Sequence, residues 1–212
     1  MSTLETLTTA GSCFRLLSAC FYEPEKDLFL EQAVCLNLSS LLNSFNSTAA
    51  VHAEKMAEEL KSQDQHQLTI DHSALFIGPF ELQAPPYGSI YLENKRVVMG
   101  ETTIDVLKFY QDAGIQVEAS EPADHIAIEL EFMSFLHDRE VSALQEGAEE
   151  EAATYSDLRT KFFSTCLNPW VAEFSMTMRN GTDNRFYQAL ADCLADFTDS
   201  YRQQIVESGA PA

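Results

Sequence analysis

The clearest pattern in the chain is a double row of apolar residues at helical spacing over residues 126–136. Two adjacent rows make a wide apolar face, which is typical of a helix that packs against several neighbours. Pro122 suits a first helical turn, and Glu121 and Asp124 place negative charge at the positive end of the helix dipole. We therefore predict a central helix that begins at Pro122 with an exposed polar first turn. The rows are Ile126, Leu130 and Met133, and Ile128, Phe132 and Phe135.

Helical spacing recurs along most of the chain, and the run 96–99 is a weak candidate for a strand. Asn168 followed by Pro169 indicates a helix start, since proline is favoured at the first helical position. The pattern predicts an all-α protein of about eight to ten helices. Besides the central helix, helices are predicted over 4–22, 26–45, 47–61, 68–77, 100–114, from the acidic break at 147–151 to about 166, 168–180 and 183–207.

We interpret residues 1–212 as one globular domain, because this length buries a substantial core. The segment 115–123 joins two helical halves, and the rigid Pro122 lies within it. A hinge of this kind can let identical halves exchange between chains. We therefore expect a monomer with a tendency to form a domain-swapped dimer.

The segment 80–92 differs from its surroundings. It contains two prolines and a glycine, from which we predict the absence of a regular helix, yet it is rich in apolar and aromatic residues. A loop of this composition either packs on the body of the protein or binds a partner. Composition leaves both alternatives open.

The start of the central helix carries the candidate chemistry. Asp124, His125 and Glu129 would suit a metal site or an acid–base group in a small metal- or nucleotide-dependent hydrolase, and the alternative is a capped helix start with a local His–carboxylate pair. A metal needs further ligands. His137 lies about 120° round the helix from His125, so a further ligand, such as Asp71 or His72, would have to come from elsewhere in the fold.

Charge is the most informative bulk property. The chain has 33 acidic and 13 Lys or Arg residues, which gives a formal net charge of −20. This excess disfavours nucleic acid and anionic membrane surfaces as partners and favours a basic peptide. The alternative is that the excess acid only keeps the protein soluble.

The sequence lacks the common targeting and catalytic motifs. No apolar run reaches the length of a membrane span, and no basic residue precedes Arg15, so we predict a cytoplasmic protein without a secretory signal. The five cysteines include no C-x-x-C pair and are expected to be reduced, buried thiols. Phosphate-binding loops, nucleophile elbows and H-E-x-x-H helices are missing. We predict no enzyme activity, cofactor or metal.

Three blocks of sequence together resemble one family. The first is L-F-I-G-P at 75–79, which runs into A-P-P-Y-G-S-I-Y at 84–91. The second is E-P-A-D-H at 121–125 with E-L-E-F-M at 129–133, and the third is F-x-x-C-L-x-P-W-x-x-x-F at 163–174. In order and spacing they are similar to the TorD/DmsD family of redox-enzyme maturation chaperones.

This resemblance implies an all-helical cytoplasmic chaperone. It would bind the twin-arginine leader of a molybdenum-cofactor enzyme and keep the apoenzyme competent for cofactor insertion before export. A family member that serves a non-exported client remains an alternative. The residues implied in leader binding are Leu75, Phe76, Pro86, Tyr87, Tyr91, Pro122, Asp124 and His125.

Two positions depart from the family pattern. Family members often carry Trp where Tyr87 stands, so the aromatic contact is smaller and more polar in this chain. Many carry His where this chain has Cys166. Any role of that histidine in the family cannot be assigned to Cys166 in this chain.

Overall fold

The computed structural model of the chain describes residues 3–45, 47–78, 81–93, 98–115 and 121–207. These residues form helices and connections, with no β-strand among them, which confirms the all-α prediction. The helices are α1 (Thr3–Ala19), α2 (Lys26–Glu31), α3 (Val34–Leu42), α4 (Ser47–Ser62), α5 (Gln65–Phe76), α6 (Gly88–Leu92), α7 (Glu101–Asp112), α8 (Ile126–Glu146), α9 (Glu149–Phe162), α10 (Asn168–Asn180) and α11 (Arg185–Glu207).

The wide apolar face predicted for α8 is real. The helix packs against α1 on one side and α9 on the other, while α11 packs against α4 and α10. Ile126, Leu130 and Met133 are fully buried, and Phe132 is nearly so. A helix that contacts several neighbours must be apolar over a broad arc, and α8 meets that requirement.

Several predicted boundaries are wrong. The predicted helix 26–45 is two helices, because Ala33 adopts a left-handed conformation (φ 50°) between α2 and α3. The predicted helix start at Asn168, by contrast, is confirmed by α10, in which Asn168 is the first residue rather than the N-cap. A π-helical turn, Phe163–Leu167, joins α9 to α10 without a break. The wider turn accommodates Pro169, which has no N–H to donate.

The start of α8 lies four residues later than predicted. The helix begins at Ile126 rather than Pro122, and His125 occupies the N-cap position. The prediction of no regular helix in 80–92 is also wrong, because residues 88–92 form the short helix α6. The prolines precede this helix, so they do not interrupt its hydrogen bonds.

A buried polar chain ties α8, α9 and α11 together. Arg159 donates to Glu140 Oε2 at 2.7 Å and to the Tyr201 hydroxyl at 2.6 Å. The Tyr201 hydroxyl lies 3.1 Å from His137 Nε2, and His137 Nδ1 lies 2.7 Å from the Met133 carbonyl oxygen. A neutral His137 accepts a hydrogen bond from the Tyr201 hydroxyl at Nε2 and donates one to the Met133 carbonyl from Nδ1, so each of these groups has a hydrogen-bond partner. Burial, assisted by Arg159, lowers the pKa of His137 to about 3.

The remaining structural predictions have mixed outcomes. All five cysteines are buried and free, as predicted. The hinge predicted at 115–123 and the strand predicted at 96–99 fall largely on residues outside the described ranges. Domain exchange therefore stays a prediction.

Candidate functional site

The proline-containing loop and the start of α8 are joined by backbone hydrogen bonds. Ile126 N–H donates to the Pro86 carbonyl at 2.8 Å, and Gly88 N–H donates to the Asp124 carbonyl at 2.9 Å. Tyr87 and His125 thus form an isolated antiparallel bridge. Two of the sequence blocks that indicated a site lie side by side.

Asp124 is fully buried, which corrects the expectation of an exposed first turn. Its carboxylate accepts hydrogen bonds from the Ser89 backbone N–H and from the Thr103 hydroxyl, both at 2.8 Å. The side chain therefore clamps α6 and α7 to the start of α8. A carboxylate held in this way has no free face for a ligand.

His125 is also buried and acts as the helix cap. Its Nδ1 accepts a hydrogen bond from the Ala127 N–H at 3.2 Å, and its ring makes an edge contact with Tyr87, with centroids 5.4 Å apart. Burial lowers the pKa of His125 to about 4, against the smaller opposing effect of Glu121. At neutral pH His125 is an uncharged cap.

Glu129 lies beneath the same loop. It is fully buried, and its Oε2 accepts a hydrogen bond from Trp170 Nε1 at 3.3 Å. Burial, and next the charge of Asp124, raise the pKa of Glu129 well above its usual value. Tyr91 stacks on Trp170, with ring centroids 5.5 Å apart. A Cβ at Gly88 would come within 3.0 Å of the indole nitrogen, so glycine permits this close packing.

These contacts do not assemble the metal or acid–base group considered from the sequence. Asp124 and His125 are engaged with the backbone of neighbouring segments, and Glu129 bonds Trp170. Within the described ranges, no group of three or more His, Cys, Asp or Glu residues is arranged to hold a metal ion. The geometry gives the hydrolase alternative no support.

The exposed groups at this end of α8 are two carboxylates that the sequence did not identify as binding residues. The Tyr87 hydroxyl donates to Glu121 Oε2 at 2.8 Å, and the Tyr22 hydroxyl donates to Glu131 Oε1 at 3.0 Å. We call Glu121, Glu131, Tyr22 and Tyr87 the carboxylate face. Burial raises the pKa of the Tyr22 phenol, as do the nearby charges of Glu131 and Glu121, so the two pairs lie within electrostatic reach of each other.

The predicted site residues divide by accessibility. Tyr87, Tyr91 and Pro122 are half-buried and can be reached from solvent. Phe76 is buried among aromatic rings, including those of Phe21 and Phe174. The buried members of the predicted set are Leu75, Phe76, Pro86, Asp124 and His125.

A separate polar cleft of about 480 Å³ lies between α4, α5 and the connection from α10 to α11. Its side chains already bond one another. Asn184 donates to Asp71 at 2.6 Å and to Gln63 at 3.0 Å, and Gln67 donates to the other oxygen of Asp71 at 2.9 Å. Hydrogen bonds among the lining side chains therefore hold part of the cleft.

Comparison with known proteins identifies the family. The family model described as "Nitrate reductase delta subunit" matches residues 40–176. The probable Tat proofreading chaperone DmsD of Haemophilus influenzae is 28% identical over 194 residues, which cover 90% of this chain and 87% of that protein. The chaperone protein TorD of Aliivibrio salmonicida is 27% identical over 165 residues, 77% of this chain and 75% of that protein. The chain belongs to the TorD/DmsD family.

A solved structure agrees with this assignment at the level of the fold. The putative redox enzyme maturation protein from Archaeoglobus fulgidus matches with a TM-score of 0.59 at 22% identity, over 89% of this chain and 93% of that one. Named TorD and DmsD relatives are chaperones, which confirms the prediction of a non-enzyme. None of the described helices is both long and apolar enough to cross a membrane.

Proposed function

We propose that this chain is a cytoplasmic chaperone that binds the twin-arginine leader of a molybdenum-cofactor oxidoreductase. It holds the apoenzyme competent for cofactor insertion before export. Membership of the TorD/DmsD family supports a maturation chaperone. The observation that carries the leader-binding step is the carboxylate face, with its two exposed acids in fixed positions.

The chemistry of the face fits a pair of guanidinium groups. Each of Glu121 and Glu131 keeps one carboxylate oxygen free of its tyrosine partner, and the tyrosine fixes the orientation of the other. Arginine donates through a planar fork that matches a carboxylate. Because the carboxylates are already ordered, less conformational entropy is lost on binding. The net charge of −20 speeds the approach of a basic peptide.

The residues implied by the family resemblance take two roles in this proposal. Tyr87, Tyr91 and Pro122 are accessible and contact the peptide directly. The buried residues shape the surface without touching the leader. Asp124 and His125 do so by fixing the loop against the start of α8.

Calorimetric titration with a leader peptide from the same organism's molybdoenzymes tests the proposal. We expect the Glu121→Gln/Glu131→Gln variant to bind at least about tenfold more weakly at low salt, a loss of about 1.4 kcal/mol. Glu149→Gln/Glu150→Gln is the matched control, because it removes the same charge from exposed positions in the first turn of α9. The absence of binding to every leader tested, or equal affinity in the two variants, would contradict the proposal.

A further inference from the structure

Two buried thiols meet where the end of α1 packs against the start of α3. Cys20 directly follows α1 and is 1% exposed, and Cys35 is the second residue of α3 and is 3% exposed. A hydrogen bond between these two side chains has the largest effect on the pKa of each. Both thiols are free, so their sulfurs are in contact without being joined. We call Cys20 and Cys35 the thiol pair.

The two members of the pair differ in how readily they lose a proton. The Cys20 thiol can donate either to the Leu16 carbonyl oxygen at 3.3 Å or to the Cys35 sulfur. Its hydrogen bond to Cys35 lowers the pKa of Cys35, against the opposing effect of burial. Cys35 also lies in the first turn of α3, where the positive end of the helix dipole favours a thiolate. The hydrogen bond between the thiols and then burial raise the pKa of Cys20. Cys35 is thus suited to attack as a thiolate while Cys20 keeps its proton.

The three remaining cysteines are placed differently. Burial raises the pKa of Cys13 to about 12, and burial with the nearby charge of Glu129 does the same for Cys166. The Cys193 thiol donates to the Ala49 carbonyl at 3.5 Å, and burial raises its pKa as well. A thiol that stays protonated is a poor nucleophile. We therefore expect thiol reactivity to be confined to the thiol pair.

The chain before α3 gives a small reagent a route to the thiol pair. Helix α2 has six residues, of which only Phe29 is buried. Ala33, between α2 and α3, has a φ of 50°, which strains a residue that carries a side chain. Segments with few buried contacts open locally at low cost in free energy. Because α2 packs against α3, its opening exposes the start of α3 and with it Cys35.

We propose that the thiol pair reacts with a small-molecule disulfide to form an intramolecular disulfide, and that this bond disturbs the carboxylate face. The Cys35 thiolate attacks one sulfur of the reagent, and the other half of the reagent leaves as a thiolate. Cys20 then gives up its proton and attacks the Cys35 sulfur, which expels the second half. The two cysteines lose two protons and two electrons, the S–S bond of the reagent breaks, and two small thiols are released.

Tyr22 connects the thiol pair to the carboxylate face. It lies two residues after Cys20, and its hydroxyl donates to Glu131 Oε1 at 3.0 Å. A disulfide has an S–S distance of about 2.05 Å, which is shorter than any contact between unbonded sulfurs. Its formation therefore draws the end of α1 toward α3 and moves Tyr22, so Glu131 loses the partner that orients it. This effect on the leader rests on the proposed function, whereas the thiol chemistry does not.

Peptide mapping of the folded chain after treatment with oxidised glutathione tests the chemistry. Trypsin cleaves after Arg15, Lys26 and Lys55, so each member of the pair lies in its own peptide, 16–26 or 27–55. We expect mass spectrometry to find these two peptides linked, and dithiothreitol to release them. The matched control is Cys13→Ala, which removes a buried thiol from α1 and should keep the link.

Two variants separate the roles of the thiols. Cys35→Ala should form no link. Cys20→Ala should retain glutathione on Cys35 as a mixed disulfide, because the thiol that expels the second half of the reagent is missing. Calorimetry with the leader peptide then measures the effect on the carboxylate face. We expect oxidation to weaken leader binding at least about fivefold in the wild-type chain and in Cys13→Ala, and less than about twofold in Cys35→Ala.

The possible results separate the chemistry from the proposed function. A wild-type chain that keeps both thiols of the pair free, or that forms the link only in urea, would overturn the proposal. A link from Cys20 to Cys193 in place of Cys35 would overturn it as well. If the expected link forms and leader affinity changes less than about twofold, the effect on the carboxylate face is wrong. If the link forms and neither the reduced nor the oxidised chain binds any leader, the proposed function fails and the thiol chemistry stands.

Discussion

Replacement of Asp124 by Asn tests whether the buried carboxylate holds the site together. In the wild-type protein its two oxygens accept from the Ser89 N–H and the Thr103 hydroxyl. Asparagine keeps one acceptor and turns an NH₂ group toward the other donor. A lost hydrogen bond to a charged group contributes about 1.5–3 kcal/mol, and a buried unpaired donor costs about 1–3 kcal/mol.

These two costs overlap, and removal of a buried charge relieves some desolvation. We therefore expect Asp124→Asn to lower the free energy of unfolding by about 2–4 kcal/mol. For a chain of this size that corresponds to a fall in Tm of roughly 4–16 °C. Urea denaturation followed by circular dichroism measures it, with Glu149→Gln as the exposed control, expected to remain within about 0.5 kcal/mol. A loss below about 1 kcal/mol would refute the clamp.

The same variant distinguishes a positioning residue from a direct ligand. A loss of leader affinity caused by a loosened loop persists when the leader arginines are replaced by glutamine. A loss caused by a missing arginine contact disappears with them. We expect the first result, because Asp124 has no exposed surface. The second would restore the direct contact expected from the sequence.

Three further outcomes follow from the buried groups. Glu129→Gln should stabilise the protein more at pH 8 than at pH 5 in urea titrations, because a raised pKa in the folded state costs stability as the pH rises; the opposite order would contradict a protonated Glu129. The pKa values of His137 and His125 are lowered to about 3 and about 4 in the folded protein. As the pH falls from 7 to 5, the unfolded chain takes up a proton at each histidine and the folded chain does not, so each histidine should lower the free energy of unfolding by about 2 kcal/mol. The loss of stability between pH 7 and pH 5 should be larger in Glu129→Gln than in the wild-type protein. A stability that does not change with pH in that variant would refute the lowered pKa values of the two histidines. Gly88→Ala should lower Tm by pressing on Trp170, and an unchanged Tm would show that the indole moves freely.

Helices with a clear local sequence pattern could be predicted, whereas breaks and turns without such a pattern could not. The double apolar row of α8 reflects burial on two sides, and the glycine after it ends the helix in the left-handed conformation. The break at Ala33 had no comparable signal, since alanine favours helix and here adopts a positive φ. No spacing rule reveals the π-helical turn before Asn168, in which Cys166 and Leu167 are buried.

The site was harder to predict, because its partners are distant in sequence. The sequence predicts an exposed helix start at Asp124. The Thr103 hydroxyl that donates to its buried carboxylate lies 21 residues away in the chain. Tyr22 and Glu131 are 109 residues apart, so their pairing had no local signal. From the sequence, Glu121 was predicted only to place negative charge at the positive end of the helix dipole. The resemblance indicated two segments that the structure brings together, and only the structure separated their buried side chains from their exposed ones.

The most direct test of leader binding at the carboxylate face is a double-mutant cycle between chaperone and leader. Calorimetry at fixed salt would compare the wild-type chain with Glu121→Gln/Glu131→Gln, each against the natural leader and a leader whose two arginines are glutamines. Close charge pairs at interfaces show coupling energies of about 1.5 kcal/mol or more, whereas exposed pairs remain below about 1 kcal/mol. We predict a coupling of about 1.5 kcal/mol or more. A coupling indistinguishable from zero, with the wild-type chain still binding the natural leader, would place the arginines elsewhere and contradict the account.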